Sequence, residues 1–255
     1  MRRALPSLVI ASGLTLSASR AVAAVTDPTG DDPLLALCRD ALLAEIAIAA
    51  IAVAGALLGG LHPWRRLGLA RGQARVGARG VGWLVLGTLA LSHALDALLS
   101  LLGLDVQGVL AELPALLAGT RGERLLLVLA ALGLAPAIAE ELLCRGFLQR
   151  ALVPRLGPAI AISLAALVFG VLHLDPIHGL FAGLLGLYLG AGAYWVGSTW
   201  AAITCHAANN LTALLVAALA PGVPTGPLSL ALGLSVAALC AWRVRREAIR
   251  DLPER

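Results

Sequence analysis

Residues 122–146 read GERLLLVLAALGLAPAIAEELLCRG, an apolar run that ends in two glutamates with an arginine four positions after the second. A run of about twenty apolar residues is long enough to cross a bilayer as a helix. On the insertion scale a charged side chain near its centre costs about 2.5–3.5 kcal/mol, so charges retained there point to a function or a partner. Helical spacing supplies the partner, because positions four apart share a face and Glu141 can reach Arg145. Glu140 projects about 100° away and has no such neighbour. Two later patterns repeat the anomaly, Phe169-x-x-x-His173 and His206-x-x-x-Asn210, each placing polar side chains on one face of an apolar segment.

The surrounding chain has the composition of a membrane protein. Of its 255 residues 59% are hydrophobic and 13% charged, with a mean hydropathy of +0.89, where ordinary domains carry about a quarter charged residues. The expected fold is an all-α, polytopic transmembrane bundle. Its helical segments fall at about 34–60, 80–103, 122–144, 157–174, 177–196, 199–220 and 227–242. That makes about seven spans, or eight if the N-terminal segment is an uncleaved anchor. Residues 1–24 carry Arg2-Arg3, a short apolar run and Ala21-Val22-Ala23, the pattern of a signal peptide or first anchor. Residues 25–255 then form a single integral membrane domain, with the motif core at about 122–220.

The net charge of +4 does not indicate a nucleic-acid surface: every basic residue is Arg, and the arginines cluster between apolar runs without interleaved aromatics. They are topogenic. Arg65, Arg66, Arg71, Arg75 and Arg79 in the loop 61–80, and Arg243, Arg245, Arg246, Arg250 and Arg255 at the C-terminus, belong on the cytoplasmic side. Alternating spans put Arg145, Arg150, Arg155 and the turn at Gly197-Ser198 there too, and Asp105, Glu112 and Asp175 outside. Trp64, Trp195, Trp200 and Trp242 then stand at the inner interface. Cys38, Cys144, Cys205 and Cys240 form no C-x-x-C pair and read as small buried residues. Gly183, Gly186, Gly190 and Gly192 suit close helix packing.

In chemical terms Glu141 with Arg145 is an orienting ion pair, and Glu140 is the candidate general base for water. His206 and Asn210 offer two N–H donors that can converge on a developing oxyanion; Asn209, three residues from His206, fits the same role. An alternative is a purely structural network of interhelical hydrogen bonds. A zinc protease would carry H-E-x-x-H, whereas His173 and His178 are five apart across Asp175-Pro176. Ligation by Glu140, His173 and His206 stays geometrically open. There is no G-x-S-x-G elbow, and Cys144 and Cys205 face away from their motif neighbours. A proton-coupled transporter would show internal repeats, and none stands out.

Together, Glu140-Glu141-Leu142-Leu143-Cys144-Arg145-Gly146, Phe169-Gly170-Val171-Leu172-His173 and His206-Ala207-Ala208-Asn209-Asn210 resemble the three ordered motifs of the CPBP (Abi) family. That family includes CaaX-processing endopeptidases and bacterial bacteriocin-processing or immunity proteins. The resemblance implies an intramembrane glutamic endopeptidase, without metal or other cofactor, acting on a membrane-associated protein or peptide. Carried over by position, Glu140 activates water with help from His173, His206 and Asn210 hold the oxyanion, and Glu141 with Arg145 orients the site. A non-hydrolytic immunity or binding protein, or a zinc-dependent protease using the same residues, is the alternative. The composition suits a bacterial inner membrane, with the C-terminus cytoplasmic.

Overall fold

A computed structural model describes residues 32–58, 62–104, 113, 115–219 and 225–250. Among them every regular element is helical. The elements are α1 (Pro33–Leu57), a short α2 (Pro63–Arg66), α3 (Ala78–Leu101), α4 (Gly122–Val128), α5 (Ala135–Glu141), α6 (Arg150–Leu172), α7 (Pro176–Val196), α8 (Thr199–Leu219) and α9 (Pro227–Arg250). Two π-helical stretches, Leu129–Leu134 and Leu142–Gln149, join α4, α5 and α6 into one continuous element. Six elements are long and apolar enough to cross a membrane, with Gly122–Leu172 counted once. The fold is therefore the all-α polytopic bundle expected. The segment at 1–24, with Asp105 and Glu112, lies outside the described residues.

The boundaries have local causes. Asp32 caps α1 by accepting from the Leu34 amide, with Pro33 in the first turn. Asp175 does the same for α7, accepting from the His178 amide at 2.7 Å ahead of Pro176. Both are the capping arrangement that satisfies an otherwise orphaned first-turn donor. Gly197, at φ 77°, ends α7 in the left-handed region that a residue without Cβ adopts freely.

One boundary differs from expectation. The span predicted to stop at 144 continues as helix through Arg145–Arg155 and breaks at Gly157 (φ 78°, ψ 165°). There the chain doubles back, so that Gln149 before the break and Ile162 after it both face Gly190. Two expected spans are thus the arms of one element. Arg145, expected near the cytoplasmic end, is instead 1% exposed inside the bundle. It is a working side chain rather than a topogenic one.

The remaining arginine clusters do share one end. Arg75 N donates to Val196 O (2.7 Å) and Thr199 N to Gly68 O (3.1 Å). Arg150 reaches both Arg66 O (3.1 Å) and Gly197 O (3.3 Å). Arg243 of α9 lies 5.7 Å over the Trp83 ring. Trp64, Trp200 and Trp242 are about half exposed, whereas Trp195 packs inward with Leu185 and Leu189.

Small residues let the arms approach closely, as in other membrane bundles. A Cβ built on Gly170 of α6 would stand 2.6 Å from Gly179 O of α7, and one on Gly192 3.0 Å from Leu84 of α3. All four cysteines are buried. Since a backbone oxygen cannot swing aside, Gly170→Val should destabilise the detergent-solubilised protein by about 1–3 kcal/mol, the usual cost of overpacking. Gly82→Ala, with open space around it, should leave the thermal unfolding midpoint near wild type. Equal effects would mean that the α6–α7 contact does not limit stability.

Candidate active site

The site is assembled around Glu141, whose side chain is fully buried. Its Oε1 accepts from Arg145 Nη1 at 2.6 Å and from His206 Nδ1 at 3.0 Å. A carboxylate only accepts, so His206 carries a proton on Nδ1. Its other nitrogen, Nε2, lies 4.0 Å from Glu140 Oε2. The two adjacent glutamates thus have different surroundings: Glu141 Oε1 is shared between a guanidinium and an imidazole, whereas Glu140 lies outside that pair of bonds, and each keeps a buried Oε2 with no hydrogen-bond partner.

Arg145 ties this centre to two further helices. Its Nη2 donates to Gly186 O of α7 at 2.8 Å, and its guanidinium lies 4.3 Å from the centroid of the Phe169 ring of α6, a favourable cation–π placement. Gly186 leaves room for this contact, because a Cβ there would sit 3.0 Å from Arg145 Nη2 and 3.2 Å from the Phe169 ring, tighter than ordinary packing. Gln149, one turn on, repeats the scheme by donating to Gly190 O at 2.9 Å.

Phe169 also receives both histidines edge-on, His173 at 5.0 Å and His206 at 5.5 Å between ring centroids. His173 Nδ1 is 2.8 Å from Phe169 O. The carbonyl accepts, so Nδ1 bears the proton and Nε2 of neutral His173 is an acceptor. His178 stacks edge-on against His173 at 4.4 Å. The break at Gly157 sets the level of these contacts, since Arg145 and Phe169 each stand twelve residues from it, on opposite arms.

The structure therefore brings Arg145, His173 and His206 around one aromatic ring, with Glu141 bonded to Arg145 and His206 and Glu140 4.0 Å from His206. Asn210 is less firmly placed. It accepts from Asn209 Nδ2 at 3.4 Å, and Asn209 is the more buried of the two. A cavity of about 670 Å³ opens between α6 and α7, lined by Gly170, Leu174, Asp175 and Gly179 among others, but none of the candidate catalytic residues lines it. Among the described residues no group of three or more His, Cys, Asp or Glu is arranged to hold a metal ion. One carboxylate escaped the sequence motifs: Glu45 of α1, whose Oε2 is buried without a partner. The available signal was a lone glutamate inside an apolar helical run.

Residues 122–212 match the family model described as Type II CAAX prenyl endopeptidase Rce1-like. This stretch is Rce1-like. The match spans all three motifs and the whole Glu140–His206 constellation, and marks this stretch as similar to that family. No curated protein and no solved structure matches the chain.

Removing one member of a buried ion pair typically costs about 3–5 kcal/mol, because the other charge is left uncompensated. Arg145→Leu should therefore lower unfolding stability by that amount in lipid nanodiscs. The double variant Glu141→Leu/Arg145→Leu, which removes both charges, should recover most of the loss. Additive losses in this cycle would mean that the pair is not coupled as its 2.6 Å contact requires.

Proposed function

We propose that the protein is an intramembrane endopeptidase in which Glu140 activates water to hydrolyse a peptide bond of a membrane-associated protein or peptide, without metal. The observation that carries this reading is the asymmetry of the glutamate pair. Glu141 Oε1 accepts from both Arg145 and His206, while Glu140 stands 4.0 Å from His206 Nε2 outside that network; the Oε2 of each glutamate is buried without a hydrogen bond.

In this mechanism Glu140 Oε2 removes a proton from water as the water oxygen attacks the peptide carbonyl carbon. His173, with Nδ1–H committed to Phe169 O, accepts the second water hydrogen bond through Nε2 and fixes the attack direction. The carbonyl oxygen becomes an oxyanion. Doubly protonated His206 donates Nδ1–H to Glu141 and Nε2–H to that oxyanion, joined by the amide of Asn210. Collapse breaks the C–N bond, and the proton held by Glu140 passes to the leaving amine. No atom of the protein becomes bonded to the substrate. The charge balance supports the role of His206: Glu140 and Glu141 face one guanidinium, Arg145, and an imidazolium makes the cluster neutral.

The same reading places the arginine-rich end in the cytoplasm of a bacterial cell, by the positive-inside bias, with residues 25–255 as one integral domain behind a signal peptide or anchor at 1–24.

General-base catalysis contributes about 10²- to 10⁴-fold, so Glu140→Gln should reduce turnover by that factor while the protein still folds. The check is a comparison of peptide termini in membranes from cells carrying wild type and Glu140→Gln. A set of termini that depends on Glu140 supports the assignment, and identical termini in both would sink it. With a substrate so identified, Asn210→Ala should cost about 10²- to 10³-fold, the range for one oxyanion donor. A chelator should leave cleavage unchanged; zinc-restored activity after chelation would reverse the metal-free reading.

A further inference from the structure

The buried stripe of α1 runs Leu34, Cys38, Ile48, Ala52, Ala56, filled in by Leu42 and Ala49. These positions recur every three or four residues, the period of one helix face. Glu45 falls on that face, between Leu42 and Ile48. Around it the stripe packs on the turn that carries the glutamate pair, with Ile48 and Ala52 in one cluster with Ala139, Leu142, Leu143 and Cys144.

Glu45 and Glu140 consequently project from facing elements into the same interior, where they interact electrostatically, and Cys144 lies in the field of both. Each has a buried Oε2 without a hydrogen-bond partner. The groups packed against Glu45 do not supply it a cation; the cation of the proposed mechanism, His206, stands beside Glu140 at 4.0 Å and is already held by Glu141. From α5 comes Glu141, already bound to Arg145 and His206. From 142–149 come the Cys144 thiol and Arg145, whose two Nη atoms are engaged by Glu141 and Gly186. The stretch 129–134 has no charged residue, and Arg65, exposed, and Arg66, half-buried, lie on α2 beyond the C-terminal end of α1. On α1 itself Asp40 is paired with Arg39.

Two carboxyls in one dry site do not both stay ionised, since like charge and desolvation act together against the second. We propose that Glu45 is a positioning residue of the site, forming with Glu140 a carboxyl pair that carries one proton. Glu45 holds that proton and offers its O–H to the Glu140 side, directly or through water, while Glu140 remains the ionised member that takes the proton from the hydrolytic water. Glu45 keeps its proton throughout the cycle, so the proton count of the hydrolysis is unchanged.

This inference rests on Glu140 as the base, but its test does not require a substrate. The full-length protein in lipid nanodiscs is titrated by infrared difference spectroscopy in the C=O stretching region of protonated carboxyls. Wild type should show a protonated buried carboxyl at neutral pH, assigned by its loss in Glu45→Gln. If that variant does not fold, Glu45→Asp assigns it by a frequency shift. In Glu140→Gln, with the like charge gone, the Glu45 band should ionise at a pH lower by at least one unit, a tenfold change in proton concentration. An unchanged midpoint in Glu140→Gln, or no protonated band in wild type, overturns the proposal. On a cleaved substrate, Glu45→Gln should move the acid limb of the kcat–pH profile to higher pH with KM unchanged, because ionised Glu140 loses the carboxylic O–H that stabilises it. A merely structural Glu45 would leave the limb where it is. Loss of the proteolytic reading, seen as Glu140-independent termini, leaves the infrared coupling standing. Absence of coupling leaves the Glu140 assignment untouched.

Discussion

The arrangement of this bundle depends on one oxygen atom. Glu141 Oε1 receives both the Arg145 guanidinium and the His206 ring, and so connects the 122–172 element to α8. Through Arg145 the same network extends to Gly186 on α7 and to the Phe169 ring on α6. Isolated, any of these polar groups would be costly in an apolar interior. Joined, they bond through Glu141 Oε1, both Arg145 Nη atoms and His206 Nδ1, while Glu141 Oε2 and Arg145 Nε stay without partners. That mutual dependence explains the small residues: Gly186 and Gly190 lack side chains because Arg145 and Gln149 need their carbonyls at contact distance.

A consequence is the separation of two chemically identical neighbours. Glu141 holds helices together through Oε1, while Glu140, about 100° around the helix, faces His206 Nε2 across 4.0 Å, and the Oε2 of each is left without a hydrogen bond. The histidine reads both carboxylates at once, one through each ring nitrogen. Phe169 adds a nonpolar wall that sets the spacing of His173 and His206 without competing for their protons.

Much of this was legible in the sequence because it is encoded locally. The Glu141–Arg145 pairing and the His173 contact with the Phe169 backbone are both i, i+4 relations, and the caps at Asp32 and Asp175 sit beside prolines. What escaped depends on relations between distant segments. Gly157-Pro158 marks a turn in any reading, but only the packed arms show that it places Arg145 and Phe169 at one level. The helix through Arg145–Arg155 looked like a charged loop because three arginines there resemble topogenic charge, and burial of the first is a tertiary fact. Glu45 escaped because no motif contains it. A lone glutamate in an apolar helix announces an anomaly, whereas its meaning comes from the helix it faces.

The π-helical stretches on either side of the glutamate pair complete the physical account. Pro136 has no amide hydrogen and cannot bond to Leu132 O, so an α-helix through this point would lose a bond and crowd that carbonyl. The chain instead widens beforehand: Ala135 N reaches Ala130 O, five residues back. Such widened turns are concentrated at functional sites. Here the widening at 129–134 resets the phase of α5 before Glu140 and Glu141, and a second widening at 142–149 resets it again before α6. Between them the two glutamates keep ordinary α-helical spacing. The phase shifts decide which neighbours they meet: α1 on the side of Ile48 and Ala52, α8 on the side of His206. A regular helix of the same sequence would present a different edge of the pair to each.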